Sequence, residues 1–188
     1  MNKFSLPLLL ACCIWFSCKK VEYTELAGKA QGTTFSIKYQ DDYKRNLSSS
    51  IDSIFRLIDH SMSLWDSTSI ISRVNRNEPG VIVDDHFENV FQKSIEVSNI
   101  TGGAFDVTVG PLVKAWGFST KKGLPPPDSL QVDSLKAVVG YQKIELKHDS
   151  IIKEDPRVEI DFNAIAQGYT VDVISVFLEE KDIQNYLI

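Results

Sequence analysis

Two stretches of the chain set a carboxylate among small and apolar residues. One is TGGAFDVTVGPL, Thr101 to Leu112, which carries Asp106; the other is EIDFNAIAQGYTVD, Glu159 to Asp172, which carries Asp161. An acid without partners is costly in an apolar run, so each needs hydrogen-bond donors from backbone or from a ligand. Asp161 closes a strand-like run and precedes a helix after Asn163, where helix capping is one role open to it. A third stretch, SMSLWDSTSIISRVNR (residues 61–76), places Trp65 at a helix end beside Asp66, Ser67 and Ser69. That combination serves as core plus capping, or as a flat surface for a heteroaromatic ring with hydroxyls nearby. In a fourth, GKAQGTTFSIKY, Gly32 opens a strand; it shapes a turn or lets backbone approach a ligand closely.

Other chemistries find no support. His60, His86 and His148 fall on a helix, a helix start and a hairpin turn, without ligand spacing. The chain has neither a Walker phosphate loop nor a G-x-G-x-x-G turn. All three cysteines, Cys12, Cys13 and Cys18, lie in the first 18 residues, so the rest of the chain offers no disulfide or thiolate site. A net charge of −5 with both signs interspersed argues against nucleic acid as a partner.

The elements that must position these residues are legible in part. TTFSIKY, Thr33 to Tyr39, alternates as a strand. From Leu47 to Trp65, Ile51, Ile54, Phe55, Ile58 and Met62 recur at three and four, predicting an amphipathic helix with Ser48 to Ser50 as caps. A second helix is expected over Phe87 to Ile100, opened by an Asp85–Glu88 capping box and closed by Gly102-Gly103. WGFSTKKGLPPP reads as a surface excursion, followed by a short helix from Asp133 to Gly140. A hairpin turning at His148-Asp149-Ser150, a buried strand Arg157 to Phe162 and a helix Ala164 to Glu180 complete the pattern. In that last helix Ile165, Val171, Ile174, Val176 and Phe177 are expected to face the core. This mixed order with antiparallel hairpins predicts an α+β fold. The run IQNYLI starts a strand and stops without a turn or partner, so the chain reads as truncated.

The N-terminal segment MNKFSLPLLLACCIWFSC combines an early lysine, a short apolar region and a terminal cysteine. It reads as an export signal, too short for a comfortable membrane span. It resembles a bacterial lipobox, with Cys18 as the expected lipidation site because the apolar run ends there and Lys19-Lys20 follow. Leu9-Leu10-Ala11-Cys12 matches the motif better but leaves a very short apolar region. Ordinary secretion, or burial of the segment as a first helix, stays open. Residues 1–18 are thus read as signal, 19–30 as a tether and 31–188 as the folded part.

In order, QGTTFSIKY, SMSLWDSTSIISRVN, TGGAFDVTVGPLVKAWGF and IDFNAIAQGYTVD closely resemble the blocks of the ApbE family, the FAD:protein FMN transferases. The resemblance runs from about Lys29 to Ile188 and covers the N-terminal half or somewhat more of the family domain. It implies an ApbE-like fold of helix and antiparallel-sheet layers, incomplete at the C-terminus. It also implies an exported protein, lipid-anchored on the periplasmic face of a bacterial membrane. The implied activity uses FAD and Mg²⁺: the pyrophosphate is cut, FMN is joined to a threonine or serine of a target protein, and AMP is released. Targets in the family include subunits of membrane electron-transfer complexes.

Residue by residue, the resemblance implies FAD contacts at Gln31, where many members have methionine, and at Trp65, Ala104, Phe105, Asp106 and Gln167. It implies a backbone-carbonyl ligand to Mg²⁺ at Ala164. On this view a bound FAD supplies the partners that Asp106 needs. The remaining metal ligands, an Asp and a Thr or Ser, and an assisting histidine are implied beyond Ile188. The 188 residues alone would then be an inactive fragment with an incomplete cleft. FAD hydrolysis to FMN and AMP, and flavin binding without turnover, are the alternatives.

Overall fold

The computed structural model describes residues 21–118 and 125–188. The export segment with Cys12, Cys13 and Cys18, Lys19-Lys20, and the middle of WGFSTKKGLPPP lie outside them.

A hairpin comes first. β1 (Thr24–Ala30) and β2 (Thr33–Tyr39) pair antiparallel along their full lengths. The tether expected over 19–30 is therefore a strand from Thr24 onward. Its inward positions include Ala and Gly as well as Leu26, too small to give an alternating apolar signal. Gln31 (φ 51°) and Gly32 (φ 75°) form the left-handed two-residue turn that a tight hairpin requires.

α1 (Ser48–Met62) buries Ile51, Phe55, Ile58 and Met62. It stops three residues short of Trp65, and its N-cap is Leu47 rather than a serine. α2 (Ile70–Asn75) is capped by the Ser69 hydroxyl, which accepts from Ser72 N–H. α3 (Asp85–Ile100) is capped by Asp84, one residue earlier than expected, and Gly102-Gly103 ends it at left-handed φ.

α4 (Gly110–Ala115) is a short turn of helix. α5 (Ser129–Lys136) starts four residues before Asp133 because Asp128 and Gln131 form a reciprocal capping box. β3 (Ile144–Lys147) and β4 (Ser150–Lys153) make the expected hairpin. Arg157 to Phe162 is not a ladder strand. It buries Val158, Ile160 and Phe162 but among the described residues pairs through a single parallel bridge, Val109 to Glu159.

α6 (Ala166–Glu179) faces the core through Ile174 and Leu178, with Phe177 partly buried; Val171 and Val176 are exposed, against expectation. Ile165 precedes the helix and packs on the core. β5 (Tyr186–Leu187) does find a partner: it pairs antiparallel with β2, giving the sheet order β1-β2-β5.

Two apolar clusters hold these elements. One gathers Ile37, Tyr39, Ile51, Phe55, Ile174 and Leu178 around the sheet. The other gathers Ile58, Met62, Phe87, Val107, Ile160 and Phe162. α1 spans both, its first half in one and its last turn in the other, and it runs antiparallel to α6. The last turn of α1 and the first turn of α6 thus meet where the clusters join. The result is a mixed α+β fold of helices with antiparallel sheets.

Candidate functional site

At that junction lies a cavity of about 330 Å³, lined among others by Gln31, Asp59, Trp65, Asn163, Ala166 and Gln167. A second cavity of about 340 Å³ lies beside it, lined by Trp65, Arg76, Lys114, Glu159, Asp161 and Asn163 among others. The two share Trp65 and Asn163. Each is in the size range of small-molecule sites, and together they make an elongated cleft with an indole at its waist.

Local sequence explains how Trp65 comes to stand there. α1 ends at Met62, and the chain from Ser63 is stapled on both sides. Ser69 Oγ and Ser72 Oγ both donate to the Ser63 carbonyl, at 2.6 and 3.2 Å. Asp66 Oδ1 accepts from Thr68 N–H and Thr68 Oγ1, both at 2.7 Å. The loop is thus fixed by its own polar groups while the indole stays 64% exposed. Ser69 is fully buried and committed to the loop, so it is not available to a ligand; Ser67 lines the second cavity.

Gln31 is positioned by the left-handed hairpin turn and Gln167 by the first turn of α6. Between them the stretch Asn163 to Ile165 forms a turn in which Ile165 and Ala166 N–H donate to the Phe162 carbonyl, at 2.9 and 2.8 Å. Tyr169 N–H donates to the Ile165 carbonyl, and among the described residues no backbone hydrogen bond ends on the carbonyl of Ala164, an exposed residue. Asp161, 7% exposed, accepts from Asn163 N–H at 2.8 Å through Oδ1. It caps this turn rather than the helix itself. Burial raises its carboxyl above the ordinary range, opposed by the Asn163 hydrogen bonds and by Lys114. Burial, with the like charge of Asp66, also raises Asp59.

Asp106 has a different setting. Oδ1 accepts from Thr108 N–H at 2.7 Å and Thr108 Oγ1 at 2.6 Å, and Oδ2 accepts from Tyr141 N–H at 2.8 Å. The expectation that it needs a ligand for its partners is wrong: the chain supplies three donors. Ala104 is exposed and Phe105 packs partly against the core, and this triplet lines neither of the two cavities. Gln31, Trp65 and Gln167 are therefore brought together, with Ala164 in the adjoining turn, and Ala104 to Asp106 are not.

The two acid-bearing stretches nevertheless touch. Asp161 N–H donates to the Val107 carbonyl at 2.7 Å. A side chain at Gly110 would put a Cβ 2.8 Å from the Glu159 carbonyl, so glycine is required for this approach. Sequence reasoning passed over Asn163, Asp59, Arg76 and Lys114, which the fold gathers from four separate segments. Only Asn163 lay next to a residue already singled out.

Two adjoining cavities that share Trp65 and Asn163 thus sit on a mixed α+β scaffold. The ApbE family model matches residues 31–188, and the chain belongs to that family. It is 32% identical to an FAD:protein FMN transferase of Vibrio cholerae over 190 residues, 96% of this chain and 55% of that protein. It is 33% identical to one of Haemophilus influenzae, over 98% of this chain and 56% of the relative. Among solved structures, a flavin transferase ApbE from Vibrio cholerae matches with a TM-score of 0.81 at 31% identity, covering 88% of this chain and 56% of its own. A flavinyl transferase ApbE from Pseudomonas stutzeri, in its apo form, matches with the same TM-score at 26% identity, covering 88% and 54%. The chain spans little more than half the length of these relatives.

Proposed function

We propose that this chain forms the nucleotide-binding part of a Mg²⁺-dependent FAD:protein FMN transferase. The observation that carries the reading is the meeting of Gln31, Trp65 and Gln167 on one cavity at the start of α6. The names of the relatives supply the reaction class.

FAD is two ring systems joined by a pyrophosphate, and the cleft has a matching form. A ring stacks on the exposed face of Trp65. The amides of Gln31 and Gln167 offer both donors and acceptors along one wall. In the first turn of α6, Ala166 and Tyr169 N–H are spent within the chain. The Gln167 and Gly168 N–H groups, without a partner among the described residues, stand with the positive dipole end beside the same cavity, a favourable place for phosphate. Lys114 and Arg76 bring cationic side chains to the second cavity, where Lys114 pairs with Glu159 and Asp161 also stands.

The donor set fits a hard divalent cation in part. The free Ala164 carbonyl is an oxygen ligand of the right kind, and the turn that presents it is braced by buried Asp161. Mg²⁺ takes about six such oxygens, and among the described residues no group of three or more His, Cys, Asp or Glu could hold a metal. Ala164 would therefore be one ligand among several. When bound, the ion neutralises charge on the pyrophosphate as it is cut. In the transfer, the target hydroxyl oxygen bonds to the FMN phosphorus, the bond from that phosphorus to the AMP oxygen breaks, and the hydroxyl proton leaves. The part of this chain is to bind, align and exclude water.

The test is to incubate the native protein with FAD, Mg²⁺ and a threonine-bearing target peptide. Covalent flavin on the peptide with one AMP released per flavin is the expected result. FMN and AMP without labelled peptide would make the protein a hydrolase, and tight FAD retention without AMP a binding protein. We further propose, from the segment ending at Cys18, that the protein is exported and lipid-anchored to the membrane. Its target would then be a subunit of a membrane electron-transfer complex. Loss of labelling by radioactive palmitate in Cys18→Ala checks the anchor.

A further inference from the structure

Gln31 stands in a turn with left-handed φ, between two strands and against α6, and one buried side chain holds it there. Thr170, 2% exposed on α6, lies with Oγ1 at 2.8 Å from Gln31 Nε2 and 3.2 Å from Gln31 Oε1. The same hydroxyl is 2.9 Å from the Ala166 carbonyl one turn back. A hydroxyl has one hydrogen. The shorter acceptor is Ala166, so the hydrogen goes there and a lone pair of Oγ1 receives the Gln31 N–H. Nε2 is thereby held against the helix and Oε1 receives no hydrogen from Thr170, while Gln31 as a residue lines the cavity that also holds Trp65 and Gln167.

We infer that Thr170 is a positioning residue for the nucleotide. It fixes the amide of Gln31 so that Oε1 accepts from an N–H or O–H on the ligand. Without Thr170 the amide could turn either way, and half its orientations would present a donor to a donor. The Ala166 bond ties this device to the first turn of α6, so hairpin turn and helix start hold one geometry. Methionine at position 31 would need no such partner. Glutamine does, and the hydroxyl is placed for it across 139 residues of sequence. The inference rests on the reading of the cleft as an FAD site.

A double-mutant cycle tests it. FAD affinity is measured by flavin fluorescence for the native protein, Thr170→Val, Thr170→Ser, Gln31→Met and the Gln31→Met/Thr170→Val pair, all well below their melting temperatures. Losing one oriented hydrogen bond should weaken FAD about three- to tenfold in Thr170→Val. Thr170→Ser, which keeps the hydroxyl, should restore affinity to within about twofold of the native value. In the Gln31→Met background Thr170→Val should change affinity by less than about twofold, since there is no amide left to orient. An equal loss in both backgrounds would mean that Thr170 only supports the helix and would overturn the inference. Native affinity in Thr170→Val would overturn it too. A native protein that binds no FAD at all would instead remove the reading of the cleft, and the inference with it.

Discussion

Asp106 and Asp161 sit on backbone segments joined by the 2.7 Å bond between Asp161 N–H and the Val107 carbonyl. In sequence they look alike, each an acid between apolar and small residues. In the fold their oxygens meet different surroundings. Both oxygens of Asp106 are used within the chain: it ties the turn at Thr108 to the loop at Tyr141, and Thr108 Oγ1 in turn accepts from Gly140 N–H at 2.7 Å. Asp161 has one backbone donor and stands at the wall of a cavity. A carboxylate with several fixed donors holds structure. A buried one whose donors all come from one neighbour, Asn163, keeps a desolvation cost that packing does not return, which is the pattern of a group kept for a ligand.

The largest effect should come from Asp106→Ala. Two backbone N–H groups lose a charged acceptor and the buried Thr108 loses a partner, a cost of about 2–3 kcal/mol, read by urea denaturation. FAD affinity measured where the variant is still folded should change little. Unchanged stability with lost FAD binding would return Asp106 to the ligand and dissolve the contrast with Asp161. Next comes Trp65→Ala. The side chain is 64% exposed, so stability should move by less than about 0.5 kcal/mol. FAD affinity should fall by about tenfold, the worth of one stacked ring. A large stability loss there would make the indole a core residue after all and take the waist out of the cleft.

Much of this was legible in the chain, and the misses have physical causes. Periodic helices were readable because α1 and α3 bury one face each, and the glycines after α3 stop it as expected. Their ends were not, because caps depend on single side chains: Asp84 wins over Asp85 and Asp128 opens α5 early. β1 was hidden by its small inward residues. Phe177 and Leu178 are neighbours on α6, and only packing against β2 and α1 decides that Leu178 is fully buried. At the site, Gln31, Trp65 and Gln167 came from motif blocks, and the fold does join them. Asp106 was misjudged because its third donor, Tyr141 N–H, is 35 residues away, a distance at which sequence carries no signal of contact.

The smallest effect is expected in the pH dependence of Asp161. Burial raises the Asp161 carboxyl above its ordinary 3.8, so between that value and the raised one the folded state binds more protons than the unfolded state. Stability from this group therefore rises as pH falls through that window, is complete below 3.8 and is absent above the raised value. Asp41 and Asp155, held low chiefly by hydrogen bonds from Arg45 and Arg157, slope the other way, so the raw curve sums opposing contributions. The informative quantity is thus the difference between the native protein and Asp161→Asn, which keeps an oxygen acceptor for Asn163 N–H. At neutral pH the variant should match or slightly exceed the native stability, since a buried charge is gone. On acidification the native protein should gain on it, because protonation relieves the same cost. If the native protein instead loses ground to Asp161→Asn as the pH falls, the carboxylate is stabilising in the fold, and Asp161 belongs with Asp106 as a structural tie rather than with the cleft.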